Sequence, residues 1–255
     1  MTLQIVTVPC LSDNYAYLAH DPATGATAVI DVPEAGPVLS ALEKQGWTLS
    51  DVLITHHHGD HVDGLPELLA KAPARVIGAA ADAHRLPALD IALQIGDTVR
   101  IGDEEGTVMD VSGHTVGHVA FHFPQSRVAF TADSLMALGC GRVFEGTMAQ
   151  MHASLGRLAA LPPDTTICSG HEYTEKNAKF ALTVDPENSK LISRADEVHK
   201  LRDAGKPTVP TKLENELETN PFLRADNPGI QANLGMTGAD PVEVFAEIRA
   251  RKDRF

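Results

Sequence analysis

A chain of 255 residues sits near the upper limit of what one hydrophobic core can hold, so one large domain, or a domain with a smaller companion, is expected. With 43% hydrophobic and 22% charged residues, 20 Gly and 16 Pro, the composition excludes disordered, collagen-like and coiled-coil classes. A formal net charge of -13 opposes attraction to nucleic acid or anionic lipid, no run approaches the roughly 18 apolar residues of a membrane span, and the opening MTLQIVTVPCL lacks the marks of an export signal. Neither nucleic acid nor membrane is therefore an expected partner. Three cysteines, Cys10, Cys140 and Cys168, form no CxxC pair, which fits a reducing compartment, and a cytoplasmic location is expected. The charge is uneven: residues 1–175 carry 8 Lys or Arg against 21 Asp or Glu, while residues 176–255 carry 13 of each.

Taken in chain order, apolar runs rich in β-branched residues predict strands at Leu3 to Val8, Ala26 to Val32, Val52 to Thr55, Arg75 to Gly78, Thr107 to Val111, Val119 to Phe123, Val128 to Thr131 and Thr165 to Cys168. Helical patterns lie between some of them: Val38 to Lys44, the turn after Pro66, and Met151 to Leu161, where Met151, Leu155, Leu158 and Leu161 share one face. From Tyr173 onward the strand pattern stops. Helices are predicted at Thr174 to Leu182, Pro186 to Asp203 and Val242 to Lys252, with a Pro-rich polar loop over Gly205 to Asn220. The expected division is therefore a domain over residues 1–173 and a helical domain over residues 174–255.

Histidine carries the chemical signal. Of 12 His, four fall within residues 56–61 and three more at 114, 118 and 122. The segment Thr55-His56-His57-His58-Gly59-Asp60-His61 leaves the strand DVLIT directly, so His56 and His58 can point the same way while Asp60 and His61 open the next helix. Imidazole and carboxylate donors suit Zn, Fe or Mn, whereas a closed structural zinc site favours thiolates. His114, Asp133 and His171 each follow a predicted strand, and in mixed α/β folds functional groups gather at the carboxyl ends of strands. Five His and two Asp at four such ends are hard to attribute to packing. His57 has the opposite parity to its neighbours and reads as a solvent or supporting residue. His118 and His122 alternate with apolar residues and read as core or surface positions, and His20, His84, His152 and His199 show no pattern. Alone, Asp133 reads equally well as the N-cap of a helix through SLMAL, and His171 as a satisfied core histidine.

The motifs THHHGDHVDG, SGHTVGH, FTADSL, GCGRVFEGT and GHEYT, in that order, resemble the glyoxalase II family, the hydroxyacylglutathione hydrolases of the metallo-β-lactamase superfamily. LSDNYAYL near the start, NPFLR at 220–224 and the closing RARKDRF extend the resemblance over essentially the whole chain. HxHxDH specifies only the superfamily; the later motifs narrow it to the branch acting on glutathione thioesters. The resemblance implies an α/β fold, a four-layer αββα sandwich followed by a smaller all-helical C-terminal domain. It implies two divalent transition-metal ions per chain, Zn in the first place with Fe or Mn as alternatives. His56, His58 and His114 would hold the first, and Asp60, His61 and His171 the second. Asp133 would bridge both together with a water or hydroxide, and Asp60 would also orient that hydroxide. Glutathione binding is implied for Arg142, Phe144, Tyr173, Arg249 and Lys252. Lys and Tyr are familiar in the family at positions 142 and 144; Arg142 keeps the charge with a different geometry, and Phe144 has no hydroxyl to donate.

The implied reaction is hydrolysis of S-D-lactoylglutathione to glutathione and D-lactate, the second step of methylglyoxal detoxification, by a monomer acting on a small-molecule substrate. A thiol of pKa near 8.5 leaves as thiolate without a strong general acid. Spacing alone reads Arg249 and Lys252, three apart, as a solvated C-terminal helical turn; the family pattern turns them into a carboxylate clamp. The rivals are a persulfide dioxygenase-like enzyme using one iron and oxygen, which the helical tail disfavours, or another thioesterase of the superfamily. A β-lactamase is disfavoured by the lack of an export signal, an RNA-processing nuclease by the charge of -13, and a metal sensor is separable by its lack of turnover.

Overall fold

The structure is a computed structural model and describes residues 2–255. The chain folds as two compact units. One runs to Asp110 and takes in Gly117–Ala132; the other comprises Val111–Val116 and Asp133–Phe255. This division follows packing, whereas the change at residue 173 is one of secondary-structure pattern. Among the described residues no helix is long and apolar enough to cross a membrane.

The first unit opens with β1 (Gln4–Cys10), β2 (Asn14–His20) and β3 (Thr27–Ile30), an antiparallel meander with Tyr17 opposite Ile30. Helix α1 (Ala35–Gln45) then returns the chain to β4 (Asp51–Leu53), and α2 (Gly59–Val62) with α3 (Leu65–Lys71) leads to β5 (Arg75–Ala79) and β6 (Ile91–Leu93). Strands β3 to β6 pair in parallel, Ile30 beside Leu53 and Leu53 beside Ile77, so the sheet order is β1-β2-β3-β4-β5-β6. Val38 and Leu42 of α1 and Leu65 and Leu68 of α3 share one core with Leu18, Val29, Val52 and Ile54. At roughly 25 cal/mol per Å2 of apolar surface removed from water, that shared core fixes which face of the sheet the helices cover. A second, antiparallel set follows: β7 (Thr98–Ile101), β8 (Glu104–Asp110), β9 (Val119–Phe123) and β10 (Val128–Ala132). Tyr17 of β2 meets Phe130 of β10 at 5.9 Å, and Phe123 meets Phe130 edge-on at 6.1 Å, giving this unit an aromatic centre.

The second unit holds the short hairpin β11 (Leu135–Met136) and β12 (Gly139–Cys140), then α4 (Met148–Ala159), whose Thr147 and Gln150 form a capping box. β13 (Thr166–Ser169) pairs antiparallel with the later β14 (Thr211–Lys212). Between them run α5 (Thr174–Val184) and α6 (Ser189–Asp203); after β14 come α7 (Leu213–Thr219), α8 (Pro228–Leu234) and α9 (Pro241–Arg254). Asn188, Asn227 and Asp240 cap α6, α8 and α9, and Pro occupies the first turn of α8 and α9, where a missing N–H costs nothing. Phe222 lies 6.2 Å from Phe180 and 5.8 Å from Phe245, the aromatic core of this unit.

Three expectations need correction. Gly205 to Asn220 is not one loop: it contains β14 and α7, seven-residue α7 being too short and acidic to show a clear apolar stripe. Helix α6 starts at Ser189 behind its Asn188 cap, not at Pro186. Asp133 does not open a helix through SLMAL, because Leu135 and Met136 form a strand. Strand β2 escaped the sequence reading because it is buried on both faces, so NYAYLAH has no polar alternation.

Candidate metal centre

In the first unit the parallel strands deliver their donors from neighbouring carboxyl ends. Asp31 follows β3 with φ of +56°, a left-handed conformation that a non-glycine residue holds only when its surroundings fix it. Its backbone N–H donates to Leu53 O at 3.0 Å, and its Oδ1 accepts from Thr55 N at 2.9 Å, which ties the two strand ends together. Asp31 Oδ2 accepts from Thr55 Oγ1 at 2.8 Å and lies 2.8 Å from His61 Nδ1. A carboxylate only accepts, so His61 carries a proton on Nδ1, and in the neutral ring Nε2 is then the lone-pair nitrogen. Thr55 Oγ1 has spent its hydrogen on Asp31, and therefore accepts from His56 Nδ1 at 3.0 Å, leaving the His56 Nε2 lone pair outward. One carboxylate thus sets two tautomers.

His56 Nε2 and His58 Nδ1 are 3.2 Å apart. Ligand bonds of about 2.0 to 2.1 Å in a tetrahedron place donor atoms about 3.3 Å from each other, so this spacing suits a shared cation. Asp31, His56 and His61 also offer ligand atoms within 4.8 Å of one another. Asp60 Oδ2 lies 3.9 Å from His61 Nε2 and accepts from Asn14 Nδ2 at 3.1 Å, which holds the carboxylate in place. His57 turns elsewhere: its Nδ1 is 3.3 Å from Asp82, a buried carboxylate that also takes Arg85 Nε at 2.6 Å. His118 is buried and stacks on His56 at 4.6 Å, a packing partner of a donor ring. Burial lowers the pKa of His122.

In the second unit the donors are His114, Asp133 and His171, all buried. His114 Nε2 and His171 Nε2 stand 3.4 and 3.3 Å from the same oxygen, Asp133 Oδ2. His114 Nδ1 donates to Arg142 O at 2.7 Å, so in the neutral ring Nε2 is the lone-pair nitrogen and faces the carboxylate. Two imidazole nitrogens within 3.4 Å of one carboxylate oxygen make a donor set that fits a divalent metal. Asp133 follows β10, whose last residue Ala132 has φ of +40°. Gly141 is required opposite it: a Cβ there would fall 1.9 Å from Asp133 O.

The residues implied for substrate binding also lie in this unit. Tyr173 stacks on the His171 ring at 4.6 Å and 8°, and Phe144 lies 5.3 Å from the His114 ring with 60% of its surface exposed. The Arg142 guanidinium sits 5.8 Å over Phe144 and donates through Nε to Asp253 at 3.2 Å. Arg249 is buried, donating to Cys140 O at 2.9 Å and to Asp253 at 2.9 Å, while its Nε is buried and has no hydrogen-bond partner among the described residues. Lys252 is half-buried over the rings of Phe180 and Phe255. The exposed helix turn that spacing suggests is thus not what α9 presents. Sequence reading missed Asp31, Asn14, Asp82 and Asp253. Only Asp31 left a signal, an acid directly after a strand, as His56 is.

The metallo-beta-lactamase superfamily model matches residues 15–171, and the model for the hydroxyacylglutathione hydrolase C-terminus matches residues 172–255. The hydroxyacylglutathione hydrolase of Jannaschia sp. (strain CCS1) is 66% identical, covering 99% of this chain and 98% of its own length, and that of Ruegeria pomeroyi (strain ATCC 700808 / DSM 15171 / DSS-3) is 63% identical over the whole of both chains. Among solved structures, BLEG-1 B3 metallo-beta-lactamase superposes with a TM-score of 0.67 at 18% identity, covering 86% of this chain and 99% of that one, a likeness of fold. The α/β metallo-β-lactamase fold with a helical C-terminal region is as the motifs imply, and the chain belongs to the hydroxyacylglutathione hydrolase, or glyoxalase II, family of the metallo-β-lactamase superfamily.

Proposed function

We propose that this protein hydrolyses 2-hydroxyacyl glutathione thioesters, S-D-lactoylglutathione first among them, releasing glutathione and D-lactate as the second step of methylglyoxal detoxification. The observation that carries the reading is the approach of His114 Nε2 and His171 Nε2 to Asp133 Oδ2, with the His114 tautomer fixed by Arg142 O. In this reading His56, His58 and His114 would hold one divalent ion, Asp60, His61 and His171 would hold another, and Asp133 would serve both. Zn is the first candidate, with Fe or Mn as alternatives, since N and O donors select weakly among these. A pair of cations bound there supplies acidification of water toward neutral pKa and Lewis-acid polarisation of a carbonyl.

The chain's own groups do the rest. Asp31 keeps the proton on His61 Nδ1, and the Asp60 carboxylate, held by Asn14, orients the attacking water. Arg142 and Lys252 attract the carboxylates of the tripeptide, with Arg249 behind them, and Tyr173 and Phe144 offer ring faces to its apolar portions. The leaving thiolate needs no proton at the moment of cleavage, so no side chain is asked to act as a strong acid. Residues 174–255 serve in this reading as the substrate-binding domain of a monomer. Three buried free cysteines suit a cytoplasmic location.

Metal analysis beside a thioester assay on one preparation tests the reading. Two ions per chain with hydrolysis of S-D-lactoylglutathione are expected; full activity with one ion or fewer, or oxygen uptake with a persulfide in place of hydrolysis, overturns it.

A further inference from the structure

The turn between β11 and β12 is held almost atom by atom from the helical part of its own unit. Asn220 Nδ2 donates to Met136 O at 3.1 Å and to Gly139 O at 2.9 Å. Asn177 Nδ2 donates to Ala137 O at 3.0 Å, Glu216 Oε2 accepts from Leu138 N at 2.8 Å, and Arg249 Nη1 donates to Cys140 O at 2.9 Å. Every residue from Met136 to Cys140 therefore has a backbone group bound by a side chain of α5, α7, the residue after α7, or α9. All four side chains are buried, Glu216 and Asn220 completely. Glu216 is itself fixed by Arg194 and by Asn220 Nδ2 at 3.0 Å. Leu138 sits at φ of +56°, a conformation that a leucine keeps only when such contacts over-determine it. Gly139 has no room for a Cβ against Asn177.

The held turn is short, and both of its ends are chemically committed. Asp133 lies two residues before β11, and Gly141 N donates to Ser134 O at 3.0 Å, closing the segment on itself. Arg142, the next residue, gives its carbonyl to His114 Nδ1 and its guanidinium to Asp253. A displacement of the turn is transmitted at one end to the Asp133 carboxylate and at the other to the carbonyl that sets the His114 tautomer.

We propose that Asn177, Glu216, Asn220 and Arg249 are positioning residues that cradle the 136–140 turn and thereby set the placement of Asp133 and the tautomer of His114, so that the helical part of the chain determines metal affinity and not substrate binding alone. The proposal rests on the metal reading given above. In it Arg249 acts mainly through Cys140 O, beneath the groups that meet substrate.

Asn177→Ala and Asn220→Ser in the full-length holoprotein test this, with Ile230→Ala in α8 as a control that loses a buried side chain without touching the turn. Three readouts are taken: metal affinity by chelator competition, amide hydrogen exchange at Leu138 and Gly141, and thermal stability. The expected result is a tenfold or greater loss of metal affinity with faster exchange at both amides in the cradle variants, while the control falls in thermal stability but keeps wild-type affinity. Arg249→Lys should lower kcat and metal affinity more than it raises KM. Cradle variants that lose thermal stability yet keep wild-type affinity and exchange overturn the proposal, as does a control that loses metal to the same degree. The metal content of the wild type is measured separately and bears on the metal reading by itself; the exchange readout judges the cradle in either case.

Discussion

Lys252 reaches back along the fold to Lys176: its ammonium donates to the Lys176 carbonyl oxygen at 3.2 Å, over the rings of Phe180 and Phe255. Burial first, and then the positive charges of Arg249 and Lys176, push its pKa down to about 8; Cys140 and Asp253 oppose that shift. Lys252 is therefore cationic below about pH 8 and neutral above it. KM for the anionic glutathione thioester should rise as pH passes from 7 to 9, and Lys252→Arg, which stays charged, should abolish that rise. Because the folded pKa lies below the ordinary lysine value, the unfolded chain binds the proton more tightly between about 8 and 10.5. The contribution of this group to stability accordingly increases with pH across that window. Steady-state kinetics at several pH values, beside denaturant titrations, check both signs.

Lys252→Ala should raise KM about ten- to a hundred-fold, the equivalent of one charge-assisted hydrogen bond of roughly 1.5 to 3 kcal/mol, with metal content unchanged. Partial exposure places the effect toward the lower end. A small thioester without the tripeptide should be hydrolysed equally by variant and wild type. Equal loss on both substrates would assign Lys252 to the fold.

Asp133→Ala should remove measurable hydrolysis and weaken metal binding, since it deletes the carboxylate oxygen that both His114 Nε2 and His171 Nε2 approach. His57→Ala should remain active, because His57 turns its Nδ1 to within 3.3 Å of Asp82, a carboxylate that retains Arg85. Metal stoichiometry and kcat for the two variants at matched folding decide the assignment.

Asp31→Asn places an amide where a carboxylate accepts from both Thr55 and His61. An amide presenting N–H to His61 Nδ1 favours the wrong tautomer, and supporting partners of this kind are worth about ten- to a hundred-fold in metal affinity. Chelator competition on the variant should show a loss in that range. An unchanged affinity would detach Asp31 from the centre.

Gly141→Ala should be far more damaging than its single methyl suggests. The added Cβ would meet the Asp133 carbonyl at 1.9 Å and His114 Nδ1 at 3.1 Å, and backbone cannot rotate aside as a side chain can. Lowered thermal stability together with reduced metal content is expected, whereas Gly156→Ala, on open space in α4, should leave both unchanged or slightly improved.

The proposed donor residues stand out in the sequence because their constraint is local. His56 and His58 share a direction through strand parity, Asp60 and His61 begin the next helix turn, and His114, Asp133 and His171 each mark a strand end. A run of such residues has few other physical uses, so the family is legible in the sequence itself. The partners that orient those side chains lie far away along the chain. Asp31 is 30 residues from His61, Arg142 is 28 from His114, and Arg249 is 109 from the Cys140 carbonyl it holds. Only tertiary structure brings them together, because hydrogen bonds to main-chain carbonyls place almost no demand on the identity of the acceptor residue and so leave no pattern in the acceptor segment. Tertiary burial also hid β2 and α7: β2 is buried on both faces and loses its alternation, and the buried face of α7 includes Glu216, a charge that belongs there only because Leu138, Asn220 and Arg194 meet it.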